Sequence, residues 1–316
     1  MIYSSSYVWA QYKFNNPLKF AMQQLLFVII GFILMNFISR LDYEIYYKKA
    51  NLIIIICLLL LVMVLIPGIG SVRNGSRSWF GIGSFGIQPS EFAKLGLMLF
   101  VSKYLSINKK AHKNIKKGIL PILLIMGLVF ALIMLQPDFG TAFVLMIAII
   151  ALLFVSGLNI KFFLYAGIIG ISGIILLIVI APYRMARITS FLNPWQDPLG
   201  SGFQIIQSLY AIGPGGILGM GFLNSRQKHF YLPEPQTDFI FAIICEEFGV
   251  FGALIVLILF FTLAYSGIKL ALSQENLFKK YMIFGIIFQI IFQATLNLLV
   301  VIGLIPVTGY AIPKLL

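Results

Sequence analysis

The chain has 316 residues, of which 60% are hydrophobic and only 10% charged, and its mean hydropathy is +0.99. A soluble domain carries about 25% charged residues, so this composition excludes a soluble fold and describes a polytopic membrane protein. The formal net charge of +13 does not mark a nucleic-acid binder, because the basic residues lie in connections between apolar runs and form no single basic face.

A helix needs about 20 mostly apolar residues to cross a bilayer. The opening Met1-Ile-Tyr-Ser-Ser-Ser has no basic segment ahead of an apolar core, so it does not read as a signal peptide; residues 1–9 read as the tail of a further span. Spans are then expected over Leu18–Ile38, Leu52–Ile66, Pro89–Tyr104, Ile119–Leu135, Phe139–Val155, Phe162–Ala181, Asp238–Tyr265 and Tyr281–Ile305, which makes eight. The fold class is an all-α membrane helix bundle in one domain. Cys57 and Cys245 fall inside apolar runs and read as packing residues, not as a disulfide or a metal site. His112 and His229 are far apart, so no metal ligand set is suggested.

Loop charge orients the spans. One alternate set of connections is short and holds Arg40, Lys48, Lys49, Lys103, Lys109, Lys110, Lys113, Lys116, Lys117, Lys161, Lys269, Lys279 and Lys280. The longer set holds Lys13, Arg73, Arg77, Arg184, Arg187, Arg226 and Lys228. The first set is therefore expected on the cytoplasmic side. Segments 68–88 and 182–237 are expected outside, with Asp238 at the outer edge of its span. Within the long segment, Gly202–Ile212 places Phe203, Ile206 and Tyr210 on one helical face, which suits an interfacial helix. Gly213-Pro-Gly-Gly216 then breaks it.

Three outward groups carry candidate chemistry. Arg73-Asn-Gly-Ser-Arg77-Ser-Trp79 leads to Gln88-Pro-Ser90-Glu91-Phe-Ala-Lys94, where Glu91 and Lys94 are spaced i, i+3 and can pair. Gln136-Pro-Asp138-Phe-Gly140 is a tight turn with an acid. The long segment brings Arg184, Arg187, Asp197, Arg226, Lys228, Glu234 and Asp238, with Glu246 and Glu247 about two turns deeper. Bland readings stand beside these. Glu91 and Lys94 can be a purely structural pair. Asp138 suits a helix cap, as do Asp238 and Thr237. Arg73 and Arg77 can snorkel. Glu246 and Glu247 need partners or water wherever they lie in a membrane.

These residues resemble the motifs of the SEDS family (shape, elongation, division and sporulation). The resemblance rests on Asn74-Gly-Ser-Arg-Ser-Trp79, Gln88-Pro-Ser-Glu-Phe-Ala-Lys94, Gln136-Pro-Asp-Phe-Gly-Thr141, Phe191-Leu-Asn-Pro194, Asp197-Pro-Leu-Gly-Ser-Gly202, Gly213-Pro-Gly-Gly216 and Pro233-Glu-Pro-Gln-Thr-Asp-Phe-Ile-Phe241. The string Phe230–Asp238 is similar to the FtsW and SpoVE branch. The resemblance implies a peptidoglycan glycosyltransferase that polymerises lipid II at the outer face of the cytoplasmic membrane, for cell division or spore cortex synthesis. It implies a class B penicillin-binding protein as partner, beside the membrane lipids. The family's essential aspartate falls on Asp238. Substrate-binding roles fall on Arg73, Arg77, Trp79, Gln88, Ser90, Glu91, Lys94, Arg187, Arg226, Lys228 and Glu234. No cofactor is demanded; carboxylates beside a pyrophosphate would suit Mg²⁺ or Mn²⁺. The family has ten spans, so this chain reads as shortened at both ends, and Tyr310-Ala-Ile-Pro-Lys-Leu-Leu316 stands where a Leu-Pro-Phe type of motif is expected.

The chemistry fits the residues by itself. Joining two lipid-linked sugars needs a base for the acceptor hydroxyl, which a carboxylate supplies best with a raised pKa. The polyprenyl pyrophosphate leaving group needs cations, and arginine presents a bidentate fork. Two other classes remain: a lipid II flippase, which the deep Glu246 and Glu247 would serve, and a non-catalytic scaffold, which would tolerate Asp238→Asn.

Overall fold

The computed structural model describes residues 1–73, 75–81, 86–108, 118–180, 185 and 189–306. Its helices are α1 (Ile2–Phe14), α2 (Lys19–Ser39), α3 (Tyr43–Leu65), α4 (Pro89–Ile107), α5 (Leu120–Met134), α6 (Phe139–Val155), α7 (Ile160–Ile180), α8 (Phe203–Ile212), α9 (Ile240–Leu272) and α10 (Leu277–Val301). Hydrocarbon offers the backbone no hydrogen-bond partners, so each apolar run closes its bonds within itself as a helix. By length and composition α2, α3, α9 and α10 are long and apolar enough to cross a membrane, and α5, α6 and residues 160–173 are shorter apolar helices. α2 buries none of its 21 residues; in water that would be a large exposed apolar surface, whereas in lipid it is ordinary. The chain is a multi-pass helical membrane protein.

Each of the eight expected spans is a helix, with shifted ends. α3 starts at Tyr43 rather than Leu52. Asp42 caps it by accepting from the Glu44 amide at 3.1 Å, and Lys48 donates to Glu44 at 2.8 Å one turn on. A cap and an i, i+4 pair carry a helix through a charged turn that hydropathy alone rejects. α9 runs on to Leu272, and α10 begins at Leu277. The segment Gly202–Ile212 forms α8, but its buried face is Ile205, Ile206, Ser208 and Ala211. Tyr210 is exposed and lies against Trp195, ring centroids 5.9 Å apart. Within the segment 68–88, β1 (Ser71–Arg73) and β2 (Ser76–Trp79) pair antiparallel, a hairpin that apolar runs and loop charge do not signal.

The chain groups into two compact units. One comprises Asp42–Gly173 and Leu263–Gln293. Its core joins α3, α4, α5 and α6 through Ile54, Leu61, Leu97, Val101, Ile122 and Leu145. The other comprises Met1–Leu41, Ile174–Thr262 and Ala294–Val307. Its core includes Ala211, Leu232, Phe239, Ala242, Ile243 and Val301. Both cysteines are free and buried.

In the second unit α9 is broken at Gly249, whose φ of 61° and ψ of −154° suit glycine alone. The segment after α8 fills the break. Val250 N donates to Gly216 O at 2.9 Å and Phe251 N to Ile217 O at 3.2 Å; Met220 N donates to Glu246 O at 2.9 Å and Gly221 N to Glu247 O at 3.0 Å. The approach is close enough that a Cβ on Gly219 would stand 2.2 Å from Glu247 O. Non-helical backbone is tolerated in a membrane helix where neighbouring protein satisfies the freed groups, and here the loop does so.

Candidate functional site

In the first unit, Pro89 sits in the first turn of α4, where its missing N–H costs nothing. The residue before it, Gln88, donates from Nε2 to Asp138 Oδ2 at 2.8 Å. Asp138 in turn caps α6, accepting from Thr141 N at 3.1 Å. Ser76 of the hairpin donates to the Gln136 carbonyl. The hairpin, the start of α4 and the start of α6 are thus tied at one end. Arg77 and Trp79 lie half-buried on β2, and Arg73 pairs with Ser76 across the hairpin.

One turn into α4, the expected pair forms. Lys94 Nζ lies 2.8 Å from Glu91 Oε1, with Lys94 1% exposed and Glu91 49% exposed. A third group, which sequence reading missed, completes it: Gln293 Oε1 of α10 accepts from Lys94 at 2.9 Å. The signal was available, since an amide recurs on α10 at Gln289, Gln293 and Asn297, one turn apart. Among the described residues, the buried Ser90 Oγ and Gln289 Oε1 have no hydrogen-bond partner, which is rare. The pair's asymmetry has a testable consequence. Glu91→Gln strands a buried ammonium and should cost about 3–5 kcal/mol of stability, whereas Lys94→Met leaves a carboxylate that water can reach and should cost less. The double variant should recover most of the loss, as read by thermal unfolding in detergent. Equal losses in the two single variants would refute the asymmetry.

In the second unit the two deep acids find their partners in the long connection. Glu246 accepts from Ser225 Oγ at 2.6 Å and from Arg226 N at 2.7 Å. Glu247 accepts from Ser4 Oγ at 2.5 Å and from Lys228 Nζ at 2.8 Å. Glu247 and Lys228 are both 0% exposed. Lys228 was expected among the substrate-binding residues; in the structure it is enclosed against Glu247, because a buried carboxylate requires a cation or several donors. Ser4 and Ser225 were missed. Their signal was weak: Ser4-Ser5-Ser6, all buried in α1, is an unusually polar run for an apolar neighbourhood.

Arg226 is exposed, its backbone held by Glu246. Glu234 is partly buried with a φ of 46°, and its carbonyl accepts from Thr237 Oγ1 at 3.2 Å. Arg184 and Arg187 lie outside the described residues. Asp238 stands two residues before α9. Its main-chain carbonyl accepts from Asn297 Nδ2 at 3.1 Å, and its carboxylate accepts no hydrogen bond among the described residues, so it caps nothing there. The side chain reaches the surface, yet the protein packed around it desolvates the carboxyl and raises it above the ordinary aspartate value.

Of the sequence-derived site residues, Arg73, Arg77, Trp79, Gln88, Ser90, Glu91 and Lys94 belong to the first unit, and Arg226, Lys228, Glu234 and Asp238 to the second. Among the described residues, no three His, Cys, Asp or Glu side chains come together to hold a metal ion.

The whole chain has relatives. The family described as cell cycle protein, that of FtsW, RodA and SpoVE, matches residues 1–315. Stage V sporulation protein E of Bacillus subtilis is 53% identical over 315 residues, covering 100% of this chain and 86% of that protein. A probable peptidoglycan glycosyltransferase FtsW of Geobacter sp. (strain M18) is 38% identical over 315 residues, again 100% of this chain and 86% of that one. Among solved structures, a chain of a peptidoglycan synthase complex that coordinates polymerization and crosslinking superposes with a TM-score of 0.76 at 32% identity, covering 99% of this chain and 87% of its own. The rod shape determining protein RodA of Thermus thermophilus superposes with a TM-score of 0.64 at 25% identity, covering 99% and 85%. With its motifs, its helices and its full length matched in this way, the chain belongs to the FtsW, RodA and SpoVE family of cell cycle proteins.

Proposed function

We propose that the protein is a peptidoglycan glycosyltransferase that polymerises lipid II on the outer side of the cytoplasmic membrane, with Asp238 as the general base. The observation that carries this reading is the state of the ten acids. Eight carboxylates have partners: those of Asp42, Glu44, Glu91, Asp138, Asp197, Glu234 (which accepts from Thr237 Oγ1 at 3.4 Å), Glu246 and Glu247. Among the described residues, Asp238 and Glu275 remain. Glu275 lies between α9 and α10, near Lys269, Lys279 and Lys280, on the side that loop charge assigns to the cytoplasm. Asp238 lies just before α9, its carboxylate unpaired among the described residues and its pKa raised by desolvation, as suits a base for a sugar hydroxyl.

In the proposed reaction Asp238 takes the proton of the acceptor sugar hydroxyl as that oxygen attacks the donor's anomeric carbon. The bond to the polyprenyl pyrophosphate breaks and its electrons leave with the phosphate. Arg187 and Arg226, in the same stretch of chain as Asp238, are the proposed cations for that charge. Lys228 is not one of them, being committed to Glu247. The acids that would have suited a flippase, Glu246 and Glu247, are occupied in holding the loop, so they do not support a transport path. A class B transpeptidase is the proposed partner. The test is lipid II polymerisation by the full-length protein with that partner in liposomes. A ladder of glycan strands is expected; movement of lipid II between leaflets without polymer would overturn the reading in favour of the flippase.

A further inference from the structure

Asp238 sits where a base is hardest to hold still. It follows a long irregular connection and precedes α9 by two residues, and its carbonyl is not taken by the first turn: Ala242 N donates to Phe239 O at 3.0 Å. The helical ladder therefore does not fix the Asp238 peptide. One side chain does. Asn297 of α10 donates from Nδ2 to the Asp238 carbonyl at 3.1 Å, across 59 residues of sequence.

We propose that Asn297 is a positioning residue for Asp238, acting through the main-chain carbonyl and not through the substrate. Three observations support it. Asn297 is an exposed amide on an apolar helix; polar groups on membrane spans face a bundle interior or a wet cavity rather than lipid. Its level on α10 is held by the next turn, where the buried Ser208 Oγ donates to Val301 O at 2.6 Å and Val301 is fully buried. Its partner is a carbonyl, an acceptor with no proton to trade, so Asn297 contributes geometry and no acid–base chemistry. A base displaced by about 1 Å can lose about 100-fold in rate, which is the scale on which one anchoring hydrogen bond matters.

The inference rests on Asp238 as the base, and the experiment separates the two. The full-length protein is reconstituted in liposomes with lipid II and its transpeptidase partner, and kcat and KM are measured for Asn297→Leu, Asn297→Asp and Asn297→Gln beside Asp238→Asn. Leu removes the donor at similar volume. Asp keeps the shape of Asn but cannot donate while ionised. Gln keeps the amide on a longer stem. Leu and Asp should lower kcat by about tenfold to 100-fold with KM within about twofold, and Gln should recover most of the loss. If Leu does not fold, the contrast between Asp and Gln still decides. Wild-type kcat in the Asp variant, or a raised KM with kcat unchanged, would overturn the inference, the second because it places Asn297 on the substrate. A fully active Asp238→Asn would sink the general-base reading instead, whatever the Asn297 series does.

Discussion

Asp238→Asn should lower glycan polymerisation by about 100-fold or more while leaving the protein folded and inserted. The amide keeps the size of the carboxylate and removes its basicity, and a positioned general base contributes about 10²–10⁴. Folding should be spared because, among the described residues, the carboxylate accepts no hydrogen bond; the structural bond at this residue is the one to its main chain. The pH dependence has a definite sign. A general base works ionised, so activity is present above its pKa and is lost as pH falls through it. Desolvation raises the Asp238 pKa above the ordinary value of 3.8, so the acidic limb should lie above that of an ordinary aspartate. A limb at or below the ordinary value, or near-normal polymerisation by the Asn variant, would remove Asp238 from the chemistry. The second outcome would favour a scaffold for the transpeptidase.

Lys228→Met should be the most destabilising single change in the long connection. Lys228 and Glu247 are both fully buried with 2.8 Å between Nζ and Oε1. Removing one member of a buried pair leaves the other charge uncompensated, at about 3–5 kcal/mol. Ser4 would still donate to Glu247, but a hydroxyl does not neutralise a carboxylate. The loss should show as a lower Tm and as proteolysis within 213–237, because the pair and the Glu246 contacts anchor that segment over the break in α9. Lys228→Met with Glu247→Gln removes both charges and should recover most of the stability. A single variant as stable as the wild type would mean that water or another cation reaches the pair.

The spans were legible because hydrocarbon imposes a helix on every apolar run of sufficient length, and composition alone reveals such runs. Their ends were less so: α3 gains a charged turn because Asp42 and the Glu44–Lys48 pair stabilise it locally. Asp238, Glu91 and Lys94 stood out because charge is scarce and costly at membrane depth. The i, i+3 spacing of Glu91 and Lys94 was enough to anticipate their pairing. Asp138 was likewise readable as a cap from its place before Phe139.

What the sequence by itself determined was therefore local: helix periodicity, caps, one ion pair and the motifs of the family. Only the tertiary structure decided how distant segments meet. It turned Lys228 inward to Glu247 over 19 residues, brought Ser4 to Glu247 over 243, joined Gln293 to Lys94 over 199 and tied Asn297 to Asp238 over 59. It also threaded Gly216–Gly221 into the break at Gly249. The physical reason is the same in each case. A buried charge or a freed backbone group must find a partner, and the sequence states that demand without naming the residue, often far along the chain, that meets it.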